Sequence, residues 1–87
     1  MEEKGECRVT EYKVQMFRYG KWQIGSIPFV GHIPVTENIE TAMQSIEKAK
    51  NAWGKMERVA PNFKTERDAP TEWRILSRTV TPWVECE

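Results

Sequence analysis

One histidine, two cysteines and thirteen carboxylates bound the chemistry open to this 87-residue chain. His32 stands alone, so it can enter neither a His/Cys metal set nor a pair of imidazoles working as acid and base. Its neighbours Phe29, Val30, Gly31, Ile33 and Pro34 predict a partly buried loop histidine. A cysteine nucleophile needs a base within hydrogen-bond reach. Cys7 follows Glu6, and Cys86 lies between Glu85 and Glu87. Nearby carboxylates raise a thiol pKa and disfavour the reactive thiolate. Glu37 and Glu40 suit the positive end of a helix better than acid–base work. The glycines form neither G-x-G-x-x-G nor G-x-x-x-x-G-K-[ST], so no phosphate cradle is written here. The residues therefore predict no enzyme, no metal and no cofactor.

Surface chemistry is what remains. The stretch "FRYGKWQIG", residues 17–25, gathers Phe17, Tyr19 and Trp22 with Arg18 and Lys21. Residues 12–25 carry Lys13, Arg18 and Lys21 without an acid, whereas Glu2, Glu3, Glu6 and Glu11 outweigh Lys4 and Arg8 just before them. The formal net charge of the whole chain is nevertheless zero. Duplex-DNA binders draw affinity from phosphate neutralisation and usually show a basic excess, which is absent here.

Hydrophobic periodicity supplies the elements that must position these groups. Residues 8–19 alternate, with Tyr12, Val14 and Met16 on one face and Lys13, Gln15 and Phe17 on the other. Gly20 breaks the run and offers a positive φ for a turn. Residues 21–25 alternate again, and Trp22 and Ile24 are expected inward, completing a β-hairpin. "GSIPFVGHIPV", residues 25–35, has two prolines that exclude a regular central strand. It predicts an apolar connection draped over the core, with room for a short edge segment.

From 36 to 52 the period becomes helical. Ile39, Ala42, Met43, Ile46, Ala49 and Trp53 form one stripe, and Glu40, Gln44, Glu47 and Lys48 lie largely opposite. Thr36 is the expected N-cap, Glu37 and Glu40 suit the helix start, and Lys48 and Lys50 suit its end. Gly54 stands where a left-handed terminating residue belongs. Residues 55–71 contain Pro61 and Pro70 and predict a long loop with room for a short helical turn, pinned by Val59 and Phe63. Residues 72–80 predict a strand with Trp73 and Ile75 inward and Arg74, Leu76 and Arg78 outward. Pro82 ends it, with room for a last short strand at 83–86.

The expected fold is α+β: an antiparallel sheet of three to four strands with one amphipathic helix on one face, in the order β-β-α-β and a final short β. One domain spans 1–87, with 1–7 as a frayed arm. A single helix must cover one sheet face to bury its stripe. The open face would then hold Lys13, Gln15, Phe17, Arg74, Leu76 and Arg78. With Lys21 from the turn, the candidate contact residues are Lys13, Phe17, Lys21, Arg74 and Arg78. Arginine beside an aromatic ring is favoured at protein interfaces. The same mixture can stack on unpaired bases and follow phosphates. "QMFRYGKW" lacks the spaced aromatics of the ribonucleoprotein consensus.

No apolar run approaches membrane-spanning length. "MEEKGEC" is acidic and polar, unlike a signal or transit peptide, so a soluble cytoplasmic protein is expected. Two cysteines make no disulfide framework. Antiparallel terminal strands would let Cys7 and Cys86 meet, although cytosolic disulfides are rare.

The stretches "EYKVQMFRYGKWQ", "ENIETAMQSIEKAKNAW" and "EWRILSRTVTPWVE" together resemble the layout of small accessory proteins of bacteriophages and prophages. The likeness spans roughly residues 11–85, is one of pattern, and carries no shared site. Some proteins of that kind, anti-CRISPR proteins among them, bind and block a host machine. The resemblance implies a non-enzymatic interaction protein that docks on a host protein and inhibits its complex. Two other classes stand beside it. One is a single-stranded nucleic-acid-binding module using Lys13, Phe17, Lys21, Arg74 and Arg78. The other is a structural protein that forms a homodimer or larger assembly through a sheet edge.

Overall fold

The computed structural model describes residues 9–80. The expected N-terminal arm, the final strand at 83–86 and the pairing of Cys7 with Cys86 lie outside the described residues. The fold is α+β. Strand β1 (Val9–Arg18) lies between β2 (Lys21–Ile24) and β5 (Glu72–Val80) in an antiparallel sheet of order β2-β1-β5. Strands β3 (Ser26–Ile27) and β4 (Gly31–His32) form a second, two-stranded sheet. One main helix, α1 (Ile39–Gly54), is followed by the short turns α2 (Met56–Val59) and α3 (Thr65–Asp68).

The first hairpin closes through Tyr19 and Gly20, with φ of 55° and 80°. Two consecutive positive φ values make the tight turn whose twist matches the flanking strands. Arg18 therefore pairs with Lys21, and Phe17 with Trp22. This register overturns the expected facing of β2. Trp22 and Ile24 share the face of Phe17, while Gln23 stands opposite Met16 on the helix side. Gln23 finds a partner there, donating from its amide to the Arg18 carbonyl at 2.9 Å.

The core lies between the sheet and α1. Val14, Met16, Ile33, Ala42, Ala49, Trp53 and Ala69 are buried, with Tyr12, Ile46, Phe63, Trp73 and Ile75 packed around them. The helical stripe is narrower than its periodicity predicts: Ala42, Ala49 and Trp53 are buried, whereas Ile39 and Met43 are exposed. Small alanines let α1 approach the sheet closely, and Trp53 fills the space at the far end.

The helix ends also differ from expectation. Asn38, not Thr36, caps α1, its side chain accepting from the N–H groups of Glu40 and Thr41 at 2.8 and 3.3 Å. Thr36 lies two residues earlier, its main chain paired with Tyr12 at 2.7 and 3.0 Å and its hydroxyl accepting from the Asn38 N–H at 3.1 Å. Gly54 is an ordinary helical residue, and Lys55 continues with right-handed geometry into α2. The last turn of α1 holds no base. In the loop that follows, Phe63 packs against the core while Val59 is exposed.

Residues 25–35 are not draped apolar loop. They fold as the β3–β4 hairpin, whose turn closes with the Val30 N–H donating to the Ile27 carbonyl at 3.0 Å. Pro28 occupies the second turn position and Phe29 the third, with φ of 69°. His32 is exposed on β4. A turn of this kind favours glycine at its third position. Phe29 is 86% exposed and so gains little packing in return. Phe29→Gly is expected to stabilise the domain by about 0.5–1 kcal/mol. Relief of the left-handed strain outweighs the added chain entropy of glycine. The urea midpoint of the purified variant checks this.

Candidate interaction surface

Pleating sends Tyr12, Val14, Met16, Trp73 and Ile75 toward the helix and their alternate neighbours to the other side. The opposite face is open. On it β1 contributes Glu11, Lys13, Gln15 and Phe17, β2 contributes Trp22 and Ile24, and β5 contributes Glu72, Arg74, Leu76 and Arg78. Lys13, Phe17, Arg74 and Arg78 are thus brought together as the sequence predicts. Lys21 is not. It pairs with Arg18 at the hairpin tip and alternates with Gln23 on the helix side.

The patch has two zones. At one end Phe17 and Trp22 meet edge-to-face, with ring centroids 5.3 Å apart. Arg74 lays its guanidinium over the Trp22 ring at 3.9 Å and donates from Nε to Gln15 Oε1 at 2.8 Å. A planar cation on an aromatic face contributes about 0.5–1 kcal/mol at an exposed site. At the other end Arg78 pairs with Glu11 at 3.1 Å. An exposed pair of this kind contributes roughly 0–1 kcal/mol to stability. Its larger effect is to neutralise a cation that would otherwise face solvent alone.

Between these ends lies a groove of about 490 Å³. Glu11, Lys13, Ile24, Val35, Leu76 and Arg78 line it. Its apolar members stay uncovered: Ile24 is 48%, Val35 53% and Leu76 39% exposed. Val35 reaches this rim because Thr36 is bridged to Tyr12 beyond the end of β2. Trp22, Ile24 and Val35 are the members that sequence reasoning missed. The signal for the first two was present, since a two-residue loop at Tyr19–Gly20 places Trp22 opposite the outward Phe17. Val35 had no such signal, because only a long-range bridge puts it there.

The helix side of the hairpin tip holds a second polar cluster, which serves the fold. Arg18 lies between the rings of Tyr19 and Trp53, at 4.5 and 4.6 Å. Its Nε donates to the carbonyl of Asp68. The Asp68 carboxylate accepts from Arg67 Nε and Nη2 at 2.8 and 2.7 Å, from the Lys64 N–H at 2.9 Å and from the Tyr19 hydroxyl at 3.1 Å. The Arg67 guanidinium, with the Lys64 N–H and the Tyr19 hydroxyl, holds this carboxyl well below the usual carboxylate range. Every oxygen of this buried acid is therefore spoken for, and the cluster ties the hairpin to α3.

Among the described residues no helix is long and apolar enough to cross a membrane. No family model, no curated protein and no solved structure matches this chain.

Proposed function

We propose that this chain is a non-enzymatic interaction module that docks its open sheet face on a partner protein. The observation that carries the reading is the composition of that face. Three exposed aliphatic side chains surround a groove, beside an arginine stacked on tryptophan. Well-defined interfaces combine an apolar centre with aromatic and arginine anchors and a polar rim. Clustered exposed apolar side chains rimmed by polar residues are a feature of such contact sites.

Single-stranded nucleic acid fits this face less well. Base stacking needs a free aromatic face, and Arg74 already covers that of Trp22. Phosphate tracking needs uncommitted cations, and Arg78 is neutralised by Glu11. The resemblance to small phage accessory proteins agrees with a protein partner. Inhibition of a bacterial host complex is the sharper form of the same reading.

The test compares the natural chain with an Ile24→Glu/Leu76→Glu variant, both immobilised and exposed to the same bacterial lysate. Both sites are exposed, so circular dichroism of the variant should match the natural spectrum. A protein retained by the natural chain and depleted at least tenfold on the variant supports the reading. Equal retention on both overturns it. Binding to a single-stranded oligonucleotide that collapses with added salt would favour the nucleic-acid class instead.

A further inference from the structure

The outer edge of β5 carries the strongest unassigned feature. Among the described residues strand β5 is a terminal strand of its sheet, and its nine residues pair with β1 in continuous register. Edge strands of isolated proteins are commonly blunted by proline, by charged side chains, by a bulge or by brevity, and here the only such device is charge, in Glu72, Arg74 and Arg78. Glu72–Val80 has no proline, glycine or lysine, no bulge interrupts it, and it is longer than most strands.

The direction of its main-chain groups follows from β1. Tyr12 exchanges hydrogen bonds with Thr36, and the Val14 carbonyl accepts from the Gly25 N–H. The groups of Tyr12, Val14 and Met16 therefore point away from β5, and those of Glu11, Lys13 and Gln15 point toward it. Their partners Arg78, Leu76 and Arg74 point inward in turn. Among the described residues Trp73, Ile75, Ser77 and Thr79 are left with unpaired N–H and C=O groups aimed at the outer edge.

We infer that this edge pairs with β5 of a second copy, antiparallel, about a two-fold axis at Ile75. Charge and the length of strand overlap together select the register. With the axis at Ile75, Glu72 faces Arg78 of the second copy twice over, adding a second carboxylate beside the Glu11 that Arg78 already meets, and Arg74 faces Leu76. Moving the axis to Leu76 sets Arg74 against Arg78, and moving it to Arg74 sets that residue against itself. Moving it to Ser77 brings no opposite charges together among the described residues, and moving it to Trp73 sets Glu72 against Arg74 but leaves only residues 72–74 of β5 facing their counterparts. Glu72 and Arg78 are both exposed on the open face and fall at a pair without main-chain bonds, where side chains approach most closely. On the helix side Ile75 meets Ile75, and Trp73 meets Ser77. Both apolar residues are only half-buried in one copy. The product is a continuous six-stranded sheet that joins the two open faces into one surface. This pairing stands or falls separately from any partner of the open face.

Sedimentation velocity of the full chain over roughly 1–500 µM tests it. A reversible monomer–dimer equilibrium is expected. Glu72→Arg should weaken it at least tenfold, by placing arginine against Arg78. The triple variant Glu11→Gln/Glu72→Arg/Arg78→Glu should restore it, because the swapped charges face each other again and the new carboxylate on β5 meets no acid on β1. Ser77→Pro removes one edge-facing donor without touching the β1 ladder and should abolish the dimer while leaving the circular dichroism spectrum unchanged. A monomer at every concentration overturns the inference. So does a dimer indifferent to both Glu72→Arg and Ser77→Pro, which would locate the contact on another surface.

Discussion

Trp53→Ala is expected to leave the domain largely unfolded at 25 °C. Trp53 is buried at the end of α1 and joins four parts of the chain. Its Nε1 donates to the Ser26 carbonyl at 3.0 Å, fixing β3 against the helix. Its ring stacks on Phe63 at 5.7 Å, which anchors the loop after α2. The Arg18 guanidinium lies over the same ring and links it to the end of β1. Truncating a buried tryptophan costs about 3–5 kcal/mol from lost transfer energy and the cavity left behind. The total stability of a domain this small is expected near the lower end of the usual range, about 5 kcal/mol. The loss therefore takes most of what is available. Far-ultraviolet circular dichroism should fall toward the unfolded baseline without denaturant. Trp53→Phe separates the two contributions: it keeps most ring contacts but leaves the Ser26 carbonyl without its donor, at about 1–3 kcal/mol. A native-like Trp53→Ala spectrum with an unchanged urea midpoint would mean that the helix is held elsewhere.

The second large effect is expected at Gly25, where β2 ends and the chain turns toward β3. A Cβ there would sit 2.7 Å from Val14 Cγ1 and 3.3 Å from both Trp73 Cζ3 and the Val14 carbonyl oxygen. Val14 is among the most deeply buried residues, so its side chain has little room to give. Gly25→Ala should cost about 1–3 kcal/mol through overpacking, read as a lower urea midpoint with an unchanged slope. The clash falls mainly on one methyl group. Val14→Ala/Gly25→Ala should therefore destabilise by less than the sum of the single changes. Gly20 offers the contrast. A Cβ there meets nothing within 4 Å, so Gly20→Ala feels only the left-handed backbone, φ 80°. Equal losses at both glycines would show that packing around Val14 is not the constraint.

The two glycines illustrate what was readable in the chain. A glycine between two alternating runs announces a turn, and Gly20 makes one. Nothing near Gly25 in sequence announces Val14 or Trp73, which close on it from eleven and forty-eight positions away. The same division runs through the helix. Its period was plain, but its stripe was wider than the sheet it meets, so Ile39 and Met43 stay outside. Thr36 has the chemistry of a cap, but its main chain is held to Tyr12 and its hydroxyl accepts from the Asn38 N–H, so the helix starts at Ile39 with Asn38 as its cap.

The candidate surface divides in the same manner. Local alternation along β1 and β5 was enough to set Lys13, Phe17, Arg74 and Arg78 on one side, because a strand's pleat is a property of neighbouring residues. It was also enough to predict an α+β fold with one sheet face covered. The side to which β2 turns its apolar residues was decided by register, and register depends on the turn that joins two strands. That single geometric fact moved Trp22 and Ile24 from the expected core to the open face and Lys21 away from it. Val35 joined them through a bridge that no local pattern encodes. Periodicity along the chain thus determined which residues are alike. Only pairing across it decided which of them meet, because contacts between distant segments form where the packed chain, and not its neighbours in sequence, brings them together.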